Sequence, residues 1–278
     1  PATSSPMHVS GLFIYPVKSL RGFAVPTVEI DELGLAGDRR FLAIDEAGQF
    51  LTQRQHPRMA LVSTTLANGT LTLIAEGAGR IGIPTASDPA AALHPVAVWK
   101  SEGLLAEDCG PTPAAWLSDI LQLKCRLVRL GEKFRRPVLK KAARPGDAFS
   151  FADGAPILVT SEASLADLND RIRQNSGEPV PMDRFRPNLV ITGCTPFAED
   201  EWPRIRLGDV VLRQAGRSDR CIVTTTDQLT GVRGKEPLRT LATFRRDPVE
   251  PSSVYFGANF INESKRGAVR VGDAVDLI

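Results

Sequence analysis

"RFRPNLVITGCTPFAEDEWPRIRLGDVVLRQAGRSDRCIVTTTDQLTG", Arg184 to Gly231, is the stretch of this 278-residue chain on which its fold turns. "NLVITG" and "RIRLGDVVLRQA" are rich in Val, Ile and Leu and bounded by Asn, Pro, Gly and Asp, the pattern of short strands joined by tight turns. After the polar Arg217, Ser218, Asp219 and Arg220, a single Cys221 opens the β-branched run Ile222, Val223, Thr224, Thr225, Thr226. This composition predicts a junction at Cys221 where a loop becomes a strand. Alternation then puts Cys221, Val223 and Thr225 on one face, with Arg220, Ile222 and Thr224 on the other. A lone thiol there is either a small buried hydrophobe or, beside a cation or a metal, a thiolate ligand. From these residues alone, core packing is the simpler reading.

Working outward, strand patterns recur in "HVSGLFIYPV", "VPTVEIDEL", "RFLAIDE", "LVSTTLANGTLTLIAE", "KCRLVRL" and "AVRVGDAVDLI". Asn68-Gly69 between two of them predicts a hairpin, because both residues tolerate positive φ. Two segments read as helices. In "GPTPAAWLSDILQL", Thr112 can cap and Pro113 suits the first turn. In "TSEASLADLNDRI", Ser161 can cap while Leu165, Leu168 and Ile172 repeat at helical spacing. "GAGRIG", Gly77 to Gly82, satisfies G-x-G-x-x-G, but Pro84 and Pro89 follow where a dinucleotide site needs a helix, so it reads as a glycine-rich turn.

The Lys-, Arg-, Pro- and Gly-rich run "GEKFRRPVLKKAARPGD" reads as a surface connection. Near its beginning we divide the chain into 1–6, a disordered lead or expression remnant before Met7, a β-rich unit over 7–128, and a second unit over 129–278. Lys plus Arg total 34 against 32 Asp plus Glu, a net charge of +2. That balance does not advertise a nucleic-acid partner, so any anion site must be local. No segment has the ~18 to 20 uncharged apolar residues of a membrane span, and the first residues lack a secretory signal. Four scattered cysteines without a C-x-x-C pair suggest neither a zinc cage nor a disulfide framework, and a reducing cytoplasm is expected. With His8, His56 and His94 as the only histidines, a His-based triad has little material.

Anion-binding material is better represented. "YPVKSLRG" places Lys18, Ser19 and Arg21 just after an apolar strand, and "GLAGDRRF" places Arg39 and Arg40 at a glycine-rich turn. Lys offers a point charge and Arg a fork of donors, the pair that a phosphate or carboxylate uses. "TSEAS" adds hydroxyls and free amides at a helix start. Taken singly, a solvated turn is the simpler reading of each.

The motifs F-R-P-N, "FAEDEW", "IRLGDV" and R-C-I-V-T-T followed by Asp and T-G strongly resemble the molybdenum cofactor sulfurase C-terminal (MOSC) domain. "GLFIYPVKSLRG", "GLAGDRRF", "LTQRQHPRMALV" and "TPAAWLSDILQL" resemble the β-rich N-terminal domain that accompanies it, so the likeness runs from Met7 to Ile278. It implies a mostly β fold: a β-barrel MOSC domain with a smaller β-rich α+β N-terminal domain and a few helices. The pattern is most similar to the amidoxime-reducing group of that family, whose members hold a molybdopterin-type molybdenum cofactor with one protein cysteine on the metal.

Carried over, the resemblance makes Cys221 the catalytic metal ligand. It makes Lys18, Ser19 and Arg39 cofactor-binding residues from the N-terminal side, with Thr160, Ser161, Arg186, Asn188 and Arg220 from the MOSC side. Soft sulfur suits a redox-active metal, and binding requires the deprotonated thiol. The implied reaction is reduction of small N-hydroxylated compounds such as amidoximes, hydroxylamines and N-hydroxylated bases. Asp209 and Asp227 are candidate proton donors by sequence proximity alone, and a turn role suits both better.

Two departures from the pattern are visible. Ser218 stands where relatives often carry a second cysteine. No C-x₄-C-x₂-C pattern follows to hold an iron–sulfur cluster, so electrons are expected from a separate ferredoxin-like, flavin or haem reductase. The family's membrane anchor is also not seen in this sequence. The alternative function is a carrier that binds molybdenum cofactor or sulfur without turnover, and a degenerate member with an empty cleft is a third.

Overall fold

The computed structural model describes residues 6–278, so all of the expected lead over 1–6 but its last residue lies outside the described residues. Alternating burial along the apolar runs builds four sheets. The largest has eight strands in the order Val275–Leu277, Arg204–Leu207, Val210–Asp219, Tyr255–Asn262, Ile157–Ser161, Leu189–Thr192, His8–Ile14 and Phe23–Ala24. All its pairings are antiparallel except that of Ile157–Ser161 with Leu189–Thr192. Its inner face packs Leu12, Val159, Leu189, Ile205, Leu212 and Phe260 into one core, which Val28, Ile30, Leu35 and Val269 of a three-stranded sheet help close. The expectation of a mostly β fold with few helices is met.

The remaining sheets lie in the N-terminal part. One runs Phe41–Ile44, Arg126–Leu130, Ser101–Asp108, Leu93–Val98; the other is a meander of Ser63–Ala67, Thr70–Ala75 and Gly79–Pro84. Asn68 and Gly69 form the meander's first turn with φ of 50° and 71°, as the sequence pattern requires. "GAGRIG" enters the third strand of the same meander, so no helix follows it. The first strand, His8–Ile14, pairs with Leu189–Thr192 in the largest sheet, and the next segment feeds the smaller ones. One run of chain thus stitches the two parts together just before Lys18. Residue 128 falls inside Arg126–Leu130, which pairs on both sides within the four-stranded sheet.

Three α-helices occur among the described residues. Helix α1, Pro111–Leu121, starts two residues earlier than a Thr112 cap would allow; Gly110 is its cap, with its N–H bonded to Asp108 Oδ1 at 2.7 Å. Helix α2, Glu162–Gln174, is capped by Ser161 as expected, its hydroxyl accepting from Ser164 N at 3.1 Å. Helix α3, Leu238–Phe244, joins Leu168, Ile172, Phe185 and Phe256 in a separate core. The run after residue 130 is more than a surface connection. Arg136 within it is buried and donates to the carbonyls of Ser150 and Ala152 at 2.7 and 2.6 Å.

The β-branched run after Cys221 is a correction. Ile222–Thr225 forms a 3₁₀ turn with Cys221 as its N-cap, and the strand is the one that precedes it, Val210–Asp219. Thr224 and Thr225 donate their hydroxyls back to the carbonyls of Cys221 and Ile222, at 2.9 and 2.7 Å. Such local bonds compete with a sheet ladder and override the β-propensity of threonine. Because Phe260 is fully buried at the centre of the largest sheet, Phe260→Ala is expected to cost ~3–5 kcal/mol, read as a lower urea midpoint with an unchanged slope.

Candidate active site

Residues from both parts of the chain line a cavity of about 560 Å³. Lys18, Ser19 and Arg39 contribute from the N-terminal side, and Arg186, Asn188, Arg220 and Cys221 from the other. Sequence reasoning had no means of showing this convergence, since the residues lie up to two hundred positions apart. Cys221 is half-buried, and all four cysteines are free.

The loops that present these groups are held in costly conformations. Ser19, Arg39 and Arg186 have φ of 67°, 48° and 55°, and Trp99, also on the wall, has 56°. These four are half of the positive-φ non-glycine residues among the described residues, so backbone strain is concentrated at this cavity. Such positions cost of order 1–3 kcal/mol each and persist where the surroundings over-determine them. Here the surroundings are visible. Lys18 N is bonded to Phe41 O at 2.9 Å, Arg39 N to Tyr15 O at 2.8 Å, and Arg220 N to Val254 O at 2.7 Å.

Positive charge dominates. Seven lysines and arginines line the cavity, against the carboxylates of Asp153 and Asp219. Lys18 is only 4% exposed; its Nζ meets Asp153 Oδ1 at 2.5 Å and the Phe151 carbonyl at 2.9 Å. Burial pushes the Lys18 pKa down to about 8, with Asp153 pushing back up. Arg39 pairs with Asp38 at 2.7 Å and reaches the Arg186 carbonyl at 3.2 Å. Both guanidiniums, Arg39 and Arg186, lie over the Tyr15 ring at 4.2 and 4.4 Å. Burial, and then the neighbouring Arg39, push the Arg186 pKa down to about 10. Arg220 donates to the Phe185 carbonyl at 2.7 Å and to Ser218 Oγ at 2.8 Å, and its Nε has no partner. Burial lowers its pKa also, while Cys221 beside it opposes the shift.

Cations desolvated this far with so few carboxylates are arranged to receive an anion. The expected cofactor is anionic through its phosphate, so the residues present fit it. The donor set fits as well. Among the described residues no group of three His, Cys, Asp or Glu gathers to cage a metal, whereas a metal that brings its other ligands with it needs only a single soft sulfur, which Cys221 offers.

Not every expected residue belongs to this wall. Asn188 lines it, yet its amide is spent on backbone: Oδ1 accepts from Leu158 N at 3.1 Å and Nδ2 donates to Phe13 O at 3.2 Å. Thr160 and Ser161 are fully buried and do not line the cavity. Thr160 Oγ1 donates to Met182 Sδ at 3.4 Å. The seat expected at "TSEAS" exists but is filled internally. Ser161 and Ser164 share a hydrogen bond of 2.7 Å, and Ser164 Oγ reaches both oxygens of the fully buried Glu199, at 2.8 and 2.9 Å. Burial pushes the Glu199 pKa up against the help of these hydroxyls.

Asp209 and Asp227 lie outside the cavity lining. Asp227 accepts from the amides of Leu229 and Thr230, both at 2.9 Å, and pairs with Arg184 at 2.8 Å, while Asp209 sits in the turn between two strands. Conversely, Arg54, Trp99, Lys100, Lys140, Asp153 and Gly154 were missed. Lys140 belonged to a basic run read as a connection, and Asp153-Gly154 carried a turn signal that said nothing of ligands.

The family described as the MOSC N-terminal beta barrel domain matches residues 6–124, and that described as the MOSC domain matches residues 146–276. The chain is 39% identical to mitochondrial amidoxime-reducing component 1 of Homo sapiens, over 97% of this chain and 82% of that protein. It is 38% identical to the Mus musculus component 1, with the same coverage. Against mitochondrial amidoxime reducing component 2 of Rattus norvegicus the identity is 36%, over 96% of this chain and 82% of the relative.

A protonated Lys18 would strengthen anion binding at this cavity, and the Lys18 pKa of about 8 sets where that contribution is lost. Sulfate affinity measured by calorimetry is therefore expected to weaken as pH rises through 8. Lys18→Met should bind more weakly at low pH and lose that dependence.

Proposed function

The chain belongs to the MOSC-domain family of the mitochondrial amidoxime-reducing components, and from that premise we propose that it is a molybdenum cofactor-dependent oxidoreductase. Its substrates are small N-hydroxylated compounds, and its electrons come from a separate redox partner. The observation that carries this reading is one half-buried thiol, Cys221, on the wall of a cavity whose charged groups are seven cations against two carboxylates.

In this reading the two units, expected as 7–128 and 129–278 but with the boundary moved past the strand that ends at Leu130, bring their side chains together across the cavity. Lys18 Nζ and the guanidiniums of Arg39, Arg186 and Arg220 hold the phosphate and polar edges of the cofactor by charge-assisted hydrogen bonds. Ser19 adds its hydroxyl. Asn188 shapes the wall by tying Leu158 to Phe13 rather than by donating to the ligand. Thr160 and Ser161 take no part, because the Thr160 hydroxyl is engaged by Met182 Sδ and that of Ser161 caps α2.

The Cys221 thiolate is the protein's metal ligand. The 3₁₀ turn that begins at Cys221 and the strand that ends at Asp219 fix its backbone on both sides, as a preorganised ligand needs. When bound, the cofactor supplies two-electron chemistry that cleaves the N–O bond: RC(NH₂)=NOH + 2e⁻ + 2H⁺ gives RC(NH₂)=NH + H₂O. The protein's part is to bind, orient and tune it. Among the described residues no helix is long and apolar enough to cross a membrane.

The test is molybdenum content and benzamidoxime reduction with a chemically reduced dye, for the wild type and Cys221→Ser prepared side by side from a cofactor-producing host. The wild type should hold molybdenum and turn over. The variant should lose metal affinity by more than about 100-fold, since even removing groups that only support a ligand costs 10–100-fold. Tight binding without turnover would favour the carrier alternative, and a wild type without molybdenum would overturn the reading.

A further inference from the structure

Trp99 is in an unusual place. It is the first residue of the two-residue turn between Leu93–Val98 and Ser101–Asp108, a hairpin position with φ of 56°. Two-residue hairpins reserve positive φ there for glycine, asparagine or aspartate, and a bulky side chain with that backbone is a genuine outlier. The indole is nevertheless tied down. Its Nε1 donates to Asp153 Oδ1 at 2.7 Å, the same oxygen that meets Lys18. The Arg54 guanidinium lies over the ring at 4.2 Å, and Phe50 meets it edge-on with centroids 4.9 Å apart.

An aromatic side chain restrained by three partners would ordinarily be covered. Trp99 remains 43% exposed, and it lines the cavity that holds Cys221. Among the described residues on that wall the other aromatic side chain is Phe185, which is fully buried. Trp99 is thus the open aromatic surface that this largely cationic cavity offers. Strain kept at a ring that is fixed yet uncovered is strain kept for a ligand.

Resting on the functional reading above, we infer that Trp99 is the substrate-selecting residue, and that the preferred substrates carry the N-hydroxy group on a planar conjugated system that stacks on the indole. Aryl amidoximes and N-hydroxylated heteroaromatic bases belong to this class. Aliphatic amidoximes, which have no extended flat face, do not. The stacking geometry is preset: Arg54 covers part of the indole and the hydrogen bond to Asp153 stops the ring from turning. A substrate therefore pays little to order its partner.

The experiment compares benzamidoxime with acetamidoxime in the molybdenum-loaded enzyme, using a chemically reduced dye so that no partner protein enters. The proteins are the wild type, Trp99→Phe and Trp99→Leu, matched for molybdenum content. Aromatic contacts span roughly two- to tenfold in affinity, so Trp99→Leu should lose that much kcat/KM for benzamidoxime and less than about twofold for acetamidoxime. Trp99→Phe keeps a ring without the indole N–H and should retain most of the preference. Equal losses for both substrates in Trp99→Leu would overturn the inference, because a residue that only supports Asp153 and Lys18 affects every substrate alike.

A second readout needs no turnover. Benzamidoxime, flat and neutral, added without any reductant should quench the fluorescence of the wild type and much less that of Trp99→Phe, in which Trp116 and Trp202 remain, while acetamidoxime quenches neither. Quenching that is unchanged in Trp99→Phe places the ligand elsewhere and also overturns the inference. If the loaded wild type reduces neither substrate, the functional reading fails, and the quenching comparison still decides the role of Trp99.

Discussion

Lys18 is buried, Arg39, Arg186 and Arg220 are half-buried beside it, and carboxylates are too few to pair them all; the remaining architecture answers that constraint. A buried charge is tolerated when it is paired or fully hydrogen-bonded. Asp38 takes Arg39 and Asp153 takes Lys18, while the carbonyls of Leu20, Phe151 and Phe185 receive Arg186, Lys18 and Arg220. The Tyr15 ring adds a π face under two guanidiniums. The lowered pKa values of Lys18 and Arg186 show that this compensation is incomplete. In the proposed function, an anionic ligand would complete it.

Holding such a cluster open requires that its two sides not drift apart, and the chain crosses between them repeatedly. The Tyr15 hydroxyl donates to Pro187 O at 3.0 Å and Arg186 to Leu20 O at 2.8 Å. Gln53 and Gln228, both buried, exchange amide hydrogen bonds of 3.1 and 3.0 Å, and Gln53 also reaches the Ser19 carbonyl at 2.7 Å. Arg21 donates to the Gln228 carbonyl, and Arg233 to the carbonyls of Gln53 and Arg54. These bonds link the Lys18 loop to the segment that follows Cys221. They make the separation of the cations from the thiol a property of the fold rather than of ligand binding.

The same physics accounts for the anion seat that the cavity does not use. A helix start with two serines does attract a carboxylate, and in this chain the carboxylate is Glu199, brought from the 3₁₀ turn Ala198–Glu201. A side chain already inside the protein loses less entropy on docking than a free ligand does, so the internal group takes the site. Around the cavity the reverse holds. Asp153 is 66% exposed on its side chain and leaves Arg220 Nε and much of the Arg186 charge unanswered.

The sequence by itself determined the strand-rich class, the Asn68-Gly69 hairpin, the Ser161 cap, the failure of "GAGRIG" to start a helix, and the family. Each is a matter of local backbone preference or of a contiguous motif, which neighbouring residues carry in full. Through the family resemblance it also named Lys18, Ser19, Arg39, Arg186, Arg220 and Cys221 as one expected set, although the residues themselves showed only separate basic groups and a lone thiol. Tertiary structure alone decided that these six share a wall, that Thr160 and Ser161 do not, and that Trp99, Arg54 and Asp153 do. It also turned "CIVTTT" from a strand into a 3₁₀ turn, because threonine hydroxyls found their own carbonyls before any strand could pair with them. The reason is common to all of these: desolvation and long-range hydrogen bonding depend on which distant segments meet, and adjacency in the chain does not encode that.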